Sequence, residues 1–146
     1  MRSIVVFLLL FFPAIATADN STKITIPLKI SGHALSAEVA YTDKARAQGL
    51  MHRTTLAENS GMFFVFPRVG RYSMWMLNTH IPLDVAYLDE KGFILNILDM
   101  MPHTTTAHSS AGMAKYALEM NQGWFSTKQI KAGEKVLGIE RAPAAK

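Results

Sequence analysis

The stretch that decides the fold is "KITIPLKISGHALSAEVAY", Lys23 to Tyr41. In its first half Ile24, Ile26, Leu28 and Ile30 alternate with Lys23, Thr25, Pro27 and Lys29. Successive side chains of a strand point to opposite faces, so this period of two predicts a half-buried β-strand. Pro27 has no N–H to give to a neighbour, which puts the strand at a sheet edge. Gly32 turns the chain, and Leu35, Ala37, Val39 and Tyr41 line one face of a second strand. The two strands read as a hairpin.

The same periodicities organise the rest of the chain. Thr42 and Asp43 offer capping oxygens before "KARAQ" and Gly49 can close the element, which predicts one short helix over Asp43–Gln48. Thr55 followed by Glu58 has capping-box spacing and predicts a further helical turn. "GMFFVFP" is a continuous apolar run between Gly61 and Pro67, as in a strand buried on both faces. "RYSMWML", "DVAYLD", "FILNILDM", "KYALEMN" and "KVLGIE" read as further strands, with "EKG" as a hairpin turn and residues 101–112 as a polar loop. "QGWFSTKQIKAGEK" reads as a turn-rich excursion, and residues 142–146 as a loose tail. Eight short strands at this spacing predict an all-β sandwich or barrel with one or two short helices, a single domain over residues 19–141.

Upstream, "MRSIVVFLLLFFPAIATA" has a basic start, an apolar run, a helix-breaking Pro13 and Ala16-Thr17-Ala18. A membrane span needs roughly 20 apolar residues and this run is shorter. It reads as a secretory signal peptide over residues 1–18, cut after Ala18, which predicts a periplasmic or secreted protein with no membrane association once the leader is gone. Without Arg2, 14 Lys and Arg stand against 11 acids, a formal charge of +3. So small and dispersed an excess does not point to nucleic acid. The absence of cysteine removes disulfides, thiol nucleophiles, thiolate zinc sites and iron–sulfur clusters, so the fold must rest on its apolar core.

No phosphate-binding glycine loop, His-Glu-x-x-His, nucleophile-elbow serine or calcium loop is present, and the sequence calls for no cofactor. His108-Ser109-Ser110 reads as a hydroxyl-rich loop tip. Met51, His52, Met74, Met76 and His80 are donor types that suit Cu(I). Most of the methionines, however, stand at apolar strand positions, where Met is an adaptable core filler, and no metal ligands are assigned.

The polar cluster with the most to explain lies in "SMWMLNTHIPLDVAYLD", Ser73 to Asp89. Tyr72, Met74 and Met76 share one strand face, and Asn78-Thr79-His80-Ile81-Pro82 then makes a corner, since Pro82 stops regular pairing. Asn78, Thr79 and Asp84 can brace that corner by bonding its backbone, or can present themselves to a ligand. In "KYALEMN", Tyr116, Leu118 and Met120 face one way, and Ala117, Glu119 and Asn121 the other. If that second side meets solvent, Glu119 is an ordinary surface acid. If it meets a cleft, Glu119 and Asn121 converge with Asn78 and Asp84, with Arg53 balancing the acids.

"ARAQGLMHR", "GMFFVF", "WMLNTHIPLDVAYLD", "ALEMN" and "IKAGEKV", in this order and spacing, resemble the DUF192 family over roughly Ile24 to Ile139. The resemblance implies a compact, jelly-roll-like β domain, often exported, and no established activity. Carried over position by position, it marks Arg53, Trp75, Asn78, Thr79, Asp84 and Glu119 among its characteristic residues. Members commonly carry a cysteine just after the proline matched by Pro102, and here His103 and Thr104 follow it. A mechanism through that thiol has no counterpart in this chain.

The expectation that follows is a non-enzymatic binding domain for a small polar ligand such as a carbohydrate. Arg53, Trp75, Asn78, Thr79, Asp84, Glu119 and Asn121 form its expected site, Trp75 as an apolar platform with Tyr72 or Tyr87, the others as orienting groups. Three rival readings stand beside it. Asp84 and Glu119 could act as a catalytic carboxylate pair in a hydrolase, the Met and His residues could handle copper, or every polar residue could be scaffold.

Overall fold

In the computed structural model, residues 23–146 are described. The leader, its cut after Ala18 and the first residues of the expected domain lie outside them. The hairpin forms as its pattern demands. Strand β1 (Thr25–Ile30) buries Ile26, Leu28 and Ile30, exposes the residues between them, and pairs with β2 (His33–Ala40). Ser31 and Gly32 link them at φ 47° and 85°, the two left-handed positions a tight hairpin turn needs. Helix α1 (Asp43–Gln48) has the expected bounds; Thr42 Oγ1 accepts from the Ala45 N–H at 3.1 Å as its N-cap.

The helix carries the chain over to β3 (Ser60–Gly70), which runs parallel to β2. There follow β4 (Ser73–Met74), β5 (Leu83–Leu88), β6 (Ile94–Met100), β7 (His108–Ser109), β8 (Ala114–Asn121), a second helix α2 (Trp124–Thr127) and β9 (Val136–Leu137). Seven strands form one sheet in the order β6-β5-β8-β3-β2-β1-β9, and β4 and β7 form a separate two-stranded ladder. The ends of the large sheet approach each other. Phe93 bridges Lys135, the Ile94 N–H donates to Glu134 O and the Val136 N–H to Gly92 O, each bond 2.9 Å long. The sheet is therefore curled into a half-barrel, in keeping with the all-β expectation.

Alternation sorts its side chains into two cores. One face holds Ile26, Leu28, Ile30, Phe63, Val65, Leu118, Met120 and Val136, plugged by Trp124 and Phe125 of α2. The other holds Met62, Phe64, Phe66, Leu83, Val85, Tyr87 and Ala117, and is covered by Leu50 after α1 and by Met76 and Ile81 of the crossing segment. The apolar run of β3 is read on both sides, as its unbroken pattern requires. Gly61 stands where β8 comes closest, since a Cβ there would strike Glu119 O and the Met120 sulfur.

Four expectations are corrected. "RYSMWML" is strand only at Ser73–Met74, because its partner β7 is two residues long; the segment keeps its alternation, with Met76 buried and Trp75 out, while lying across the sheet instead of in it. Thr55–Glu58 is not helical, and the second helix arises at Trp124–Thr127, inside the expected turn region. Pro27 lies one strand in from the edge, but β9 pairs only with Lys29 and Ile30 and leaves its missing N–H unneeded. Residues 142–146 are held: the Lys146 N–H donates to Tyr41 O at 2.7 Å and Arg46 donates to Lys146 O at 2.9 Å.

Candidate functional site

Between α1, the outer face of the sheet and the crossing segment lies a cavity of about 420 Å³. Its floor is Phe64, Phe66 and Glu119, one wall is the stretch from Gln48 to Met51, and the opposite wall is Tyr72 to Trp75 with Thr79. The geometry follows from register. Glu119 pairs with Met62 on one side and Val85 on the other, so its side chain emerges among the apolar residues of the covered face. Tyr72 stacks on Phe66 with ring centres 3.7 Å apart and planes 8° from parallel, and its hydroxyl donates to Arg68 O. The Tyr72 N–H donates to Ser110 Oγ and the Ser110 N–H to Tyr72 O, which fixes the wall.

Glu119 is 5 % exposed, and burial is the one cause that moves its titration, pushing the carboxyl from 4.5 up to about 8. Among the described residues no hydrogen bond or ion pair reaches it. A carboxylate removed from water without a partner is costly, so the group stays protonated at neutral pH. Its neighbour Tyr87 is also pushed up, first by burial and then by the Glu119 charge, and donates its hydroxyl to His108 O at 2.7 Å. The one cation on the cavity lining, Arg46, is committed elsewhere, to Tyr41 O, Val65 O, Asp43 Oδ1 and Lys146 O.

Of the seven expected site residues, Trp75, Thr79 and Glu119 line this cavity. Trp75 is 54 % exposed and offers its ring at the mouth, while Thr79 is buried and its Oγ1 donates to Leu77 O at 3.1 Å. Asp84 does not join them. It stands opposite Met120 and Asp99 on the other face, its Oδ2 accepting from the Gly123 N–H at 2.8 Å. Burial pushes its carboxyl up to about 6, the Gly123 bond pulls it down, and Asp99 raises it again. The expected Asp84–Glu119 carboxylate pair is therefore absent.

Arg53 does not balance those acids either. It grips Glu38 through two bonds of 2.5 and 2.7 Å, and lies in a second hollow of about 620 Å³ across the Gln48–Met51 wall. The Arg53 bonds hold the Glu38 carboxyl below its ordinary range, against the opposing effect of burial. Asn121 ties β8 to the loop before β3 by donating from Nδ2 to Leu56 O and Ala57 O. Asn78 is exposed at φ 52°, and its carbonyl accepts from the His52 N–H at 2.9 Å. Of the residues considered for copper, Met51 and Met74 line the Glu119 cavity and Met76 is in the core. His80 Nδ1 lies 3.1 Å from His103 Nε2, and the His52 ring stands 6.5 Å from that of His80. Among the described residues, no three His, Cys, Asp or Glu side chains group to hold a metal ion.

Sequence reasoning did not assign the wall from Gln48 to Met51, nor Phe64 and Phe66, to the site. The signal was there: a short capped helix followed by Gly49-Leu50-Met51 must cover something apolar, and the outward residues of "GMFFVF" are what it covers.

The DUF192 family model, described as "Uncharacterized ACR", matches residues 26–138. Among curated proteins none matches the chain. Two solved structures superpose with TM-scores of 0.76 and are each 32 % identical in sequence. One, described as a "putative transcription regulator" of Sinorhizobium meliloti 1021, aligns over 80 % of this chain and 95 % of its own. The other, a protein of unknown function from Novosphingobium aromaticivorans DSM 12444, aligns over 83 % and 90 %.

Proposed function

The chain belongs to the DUF192 family, and from that premise we propose that it is an exported, non-enzymatic binding domain that takes a small polar ligand into the Glu119 cavity. The observation that carries this reading is Glu119 itself, a carboxyl group 5 % exposed, lining a cavity and lacking any internal partner among the described residues. A group that only braced the fold would be bonded, as Asn121 is to Leu56 and Ala57; Asp84 is bonded to Gly123 through Oδ2, while its buried Oδ1 has no partner among the described residues. An acid on a cavity floor that no protein group bonds is instead a ready contact for a guest. The exposed ring of Trp75 supports the reading by adding an apolar platform at the mouth. The basic start, apolar run and Ala-x-Ala of residues 1–18 support the exported setting.

The description of the Sinorhizobium relative invites a nucleic-acid reading, which the charges here do not favour. The formal excess without Arg2 is only +3, and three of the fourteen Lys and Arg side chains, Arg46, Arg53 and Lys115, are engaged with carbonyl oxygens or Glu38. A hydrolase using Asp84 and Glu119 as its carboxylate pair is not favoured, since Asp84 faces away from the cavity. The test is thermal-shift screening of the mature chain against neutral sugars, small amines and small carboxylic acids, with Glu119→Gln in parallel. A ligand that binds the native state raises the melting temperature by mass action, and the rise is expected in the wild type and absent in the variant. No shift with any class, or shifts of equal size in both proteins, would overturn the proposal.

A further inference from the structure

Resting on the reading of the Glu119 cavity as a binding site, we propose that its occupant is a small organic cation, an ammonium group with an alkylated, apolar skin seated between Glu119 and Trp75. Phe64, Phe66, Met51, Met74, Leu50 and Trp75 make the cavity walls apolar, aromatic or thioether. Ammonium groups are drawn to aromatic faces by the ring quadrupole, and methylation makes such a cation cheaper to desolvate. Glu119 then supplies the negative charge for the guest, and the one Lys or Arg on the cavity lining, Arg46, does not compete for it, because it is held by three carbonyl oxygens and Asp43.

Other classes fit less well. A sugar needs several free hydrogen-bonding groups in a plane around it. Here the Thr79 hydroxyl gives its proton to Leu77 O and the Tyr72 hydroxyl to Arg68 O, and Ser73 Oγ bonds Ser109 Oγ, so few donors remain besides Glu119, the Trp75 indole N–H and the exposed Gln48. An anion would meet a carboxyl group on a floor with no uncommitted cation.

Burial keeps Glu119 protonated at neutral pH, so seating a cation is coupled to losing that proton. The other charged or titratable groups around it are Asp43 and Arg46 of α1, already paired, Tyr72 of the crossing segment and Tyr87 of β5. Both tyrosine hydroxyls are engaged as donors to backbone carbonyls.

The experiment is titration calorimetry of the mature chain with choline, butylamine, the neutral choline isostere 3,3-dimethylbutanol, and methyl glucoside. It is run at neutral pH in two buffers of different ionisation enthalpy, on the wild type, Glu119→Gln and Trp75→Ala. The expected result is binding of an amine with release of about one proton per site. The neutral isostere does not bind, Glu119→Gln loses the amine, and Trp75→Ala weakens it about tenfold. Trp75 is exposed, so its variant tests the cavity without asking the core to refold. Choline and its isostere binding alike, amine binding without proton release, or amine binding that survives Glu119→Gln would each overturn the cation. Methyl glucoside binding alone, lost in Glu119→Gln, would overturn the cation and leave the cavity standing as a site. No binding by any of the four ligands overturns the cation, and silence across the wider thermal-shift panel as well would remove the site.

Discussion

Asp84 and Glu119 lie one residue out of step on adjacent antiparallel strands: Asp84 stands opposite Met120, and Glu119 opposite Val85. A strand alternates its faces with a period of two, so this single step sends the two carboxyl groups to opposite sides of the sheet. One is bonded to the Gly123 turn, the other lines a cavity. Substitutions at the two positions should therefore behave differently. Asp84→Ala removes the acceptor of the Gly123 N–H and is expected to cost about 1–3 kcal/mol of stability without altering ligand affinity. Glu119→Gln should fold at least as well as the wild type and lose the ligand. Chemical denaturation and calorimetry of both variants check the contrast; equal effects on affinity would contradict it.

The raised carboxyl of Glu119 sets a pH dependence with a definite sign. Below its ordinary value of 4.5 the group is protonated in both the folded and the unfolded chain. Between 4.5 and about 8 the unfolded chain loses that proton and the folded chain keeps it, so this group's contribution to stability declines as pH rises through the window. Above about 8 both states are ionised and the decline ends. Asp84, raised to about 6, adds a decline of the same sign over a lower and narrower range. Melting temperatures followed from pH 5 to 9 should fall in the wild type and fall less in Glu119→Gln. Parallel curves for the two proteins would refute the assignment.

Arg53 and Glu38 work in the reverse sense. The bidentate pair holds Glu38 low, so the stability it contributes is present above the ordinary carboxylate value of 4.5 and is lost as pH falls through the depressed one. Each side chain remains about a quarter exposed, 26 % in both, which limits the pair to about 1 kcal/mol. A double-mutant cycle with Arg53→Met and Glu38→Gln should return a coupling of that size at neutral pH and close to none in strong acid. Coupling that persists in acid would point to packing of the side chains and not to their charges.

What was legible in the sequence was whatever a single segment decides by itself. The alternation of Thr25–Ile30, the capping signals around Asp43–Gln48 and the opposite facing of Leu118 and Glu119 are local, and the structure has them. The facing of Asp84 relative to Glu119 is not local, because it depends on how β5 and β8 register. No residue in either segment encodes that register alone, so two correct strand readings still gave a wrong pair. Trp124–Thr127 was hidden for a related reason. A four-residue helix has little pattern, and it forms because Trp124 and Phe125 bury themselves in the half-barrel.

The chain's last residues, which read as loose from their composition, supply the final test. Lys146 donates its N–H to Tyr41 O and accepts from Arg46 at its carbonyl, while the Arg46 guanidinium also bonds Tyr41 O and Val65 O. Tail, helix α1 and β3 are thus joined through one arginine beside the cavity wall. Deleting residues 142–146 exposes the apolar surface under Ala142 and Ala145 and removes three hydrogen bonds, Ala142 N–H to Ile139 O and the two at Lys146, an expected loss of about 1–3 kcal/mol. It also frees one arm of Arg46, so α1 and the Gln48–Met51 wall should exchange their amide hydrogens faster than in the full chain. Hydrogen exchange measured by mass spectrometry distinguishes this from general weakening. Faster exchange confined to α1 and the wall is expected, whereas a uniform increase over β5 and β8 would show that the tail supports the whole sheet and not the cavity.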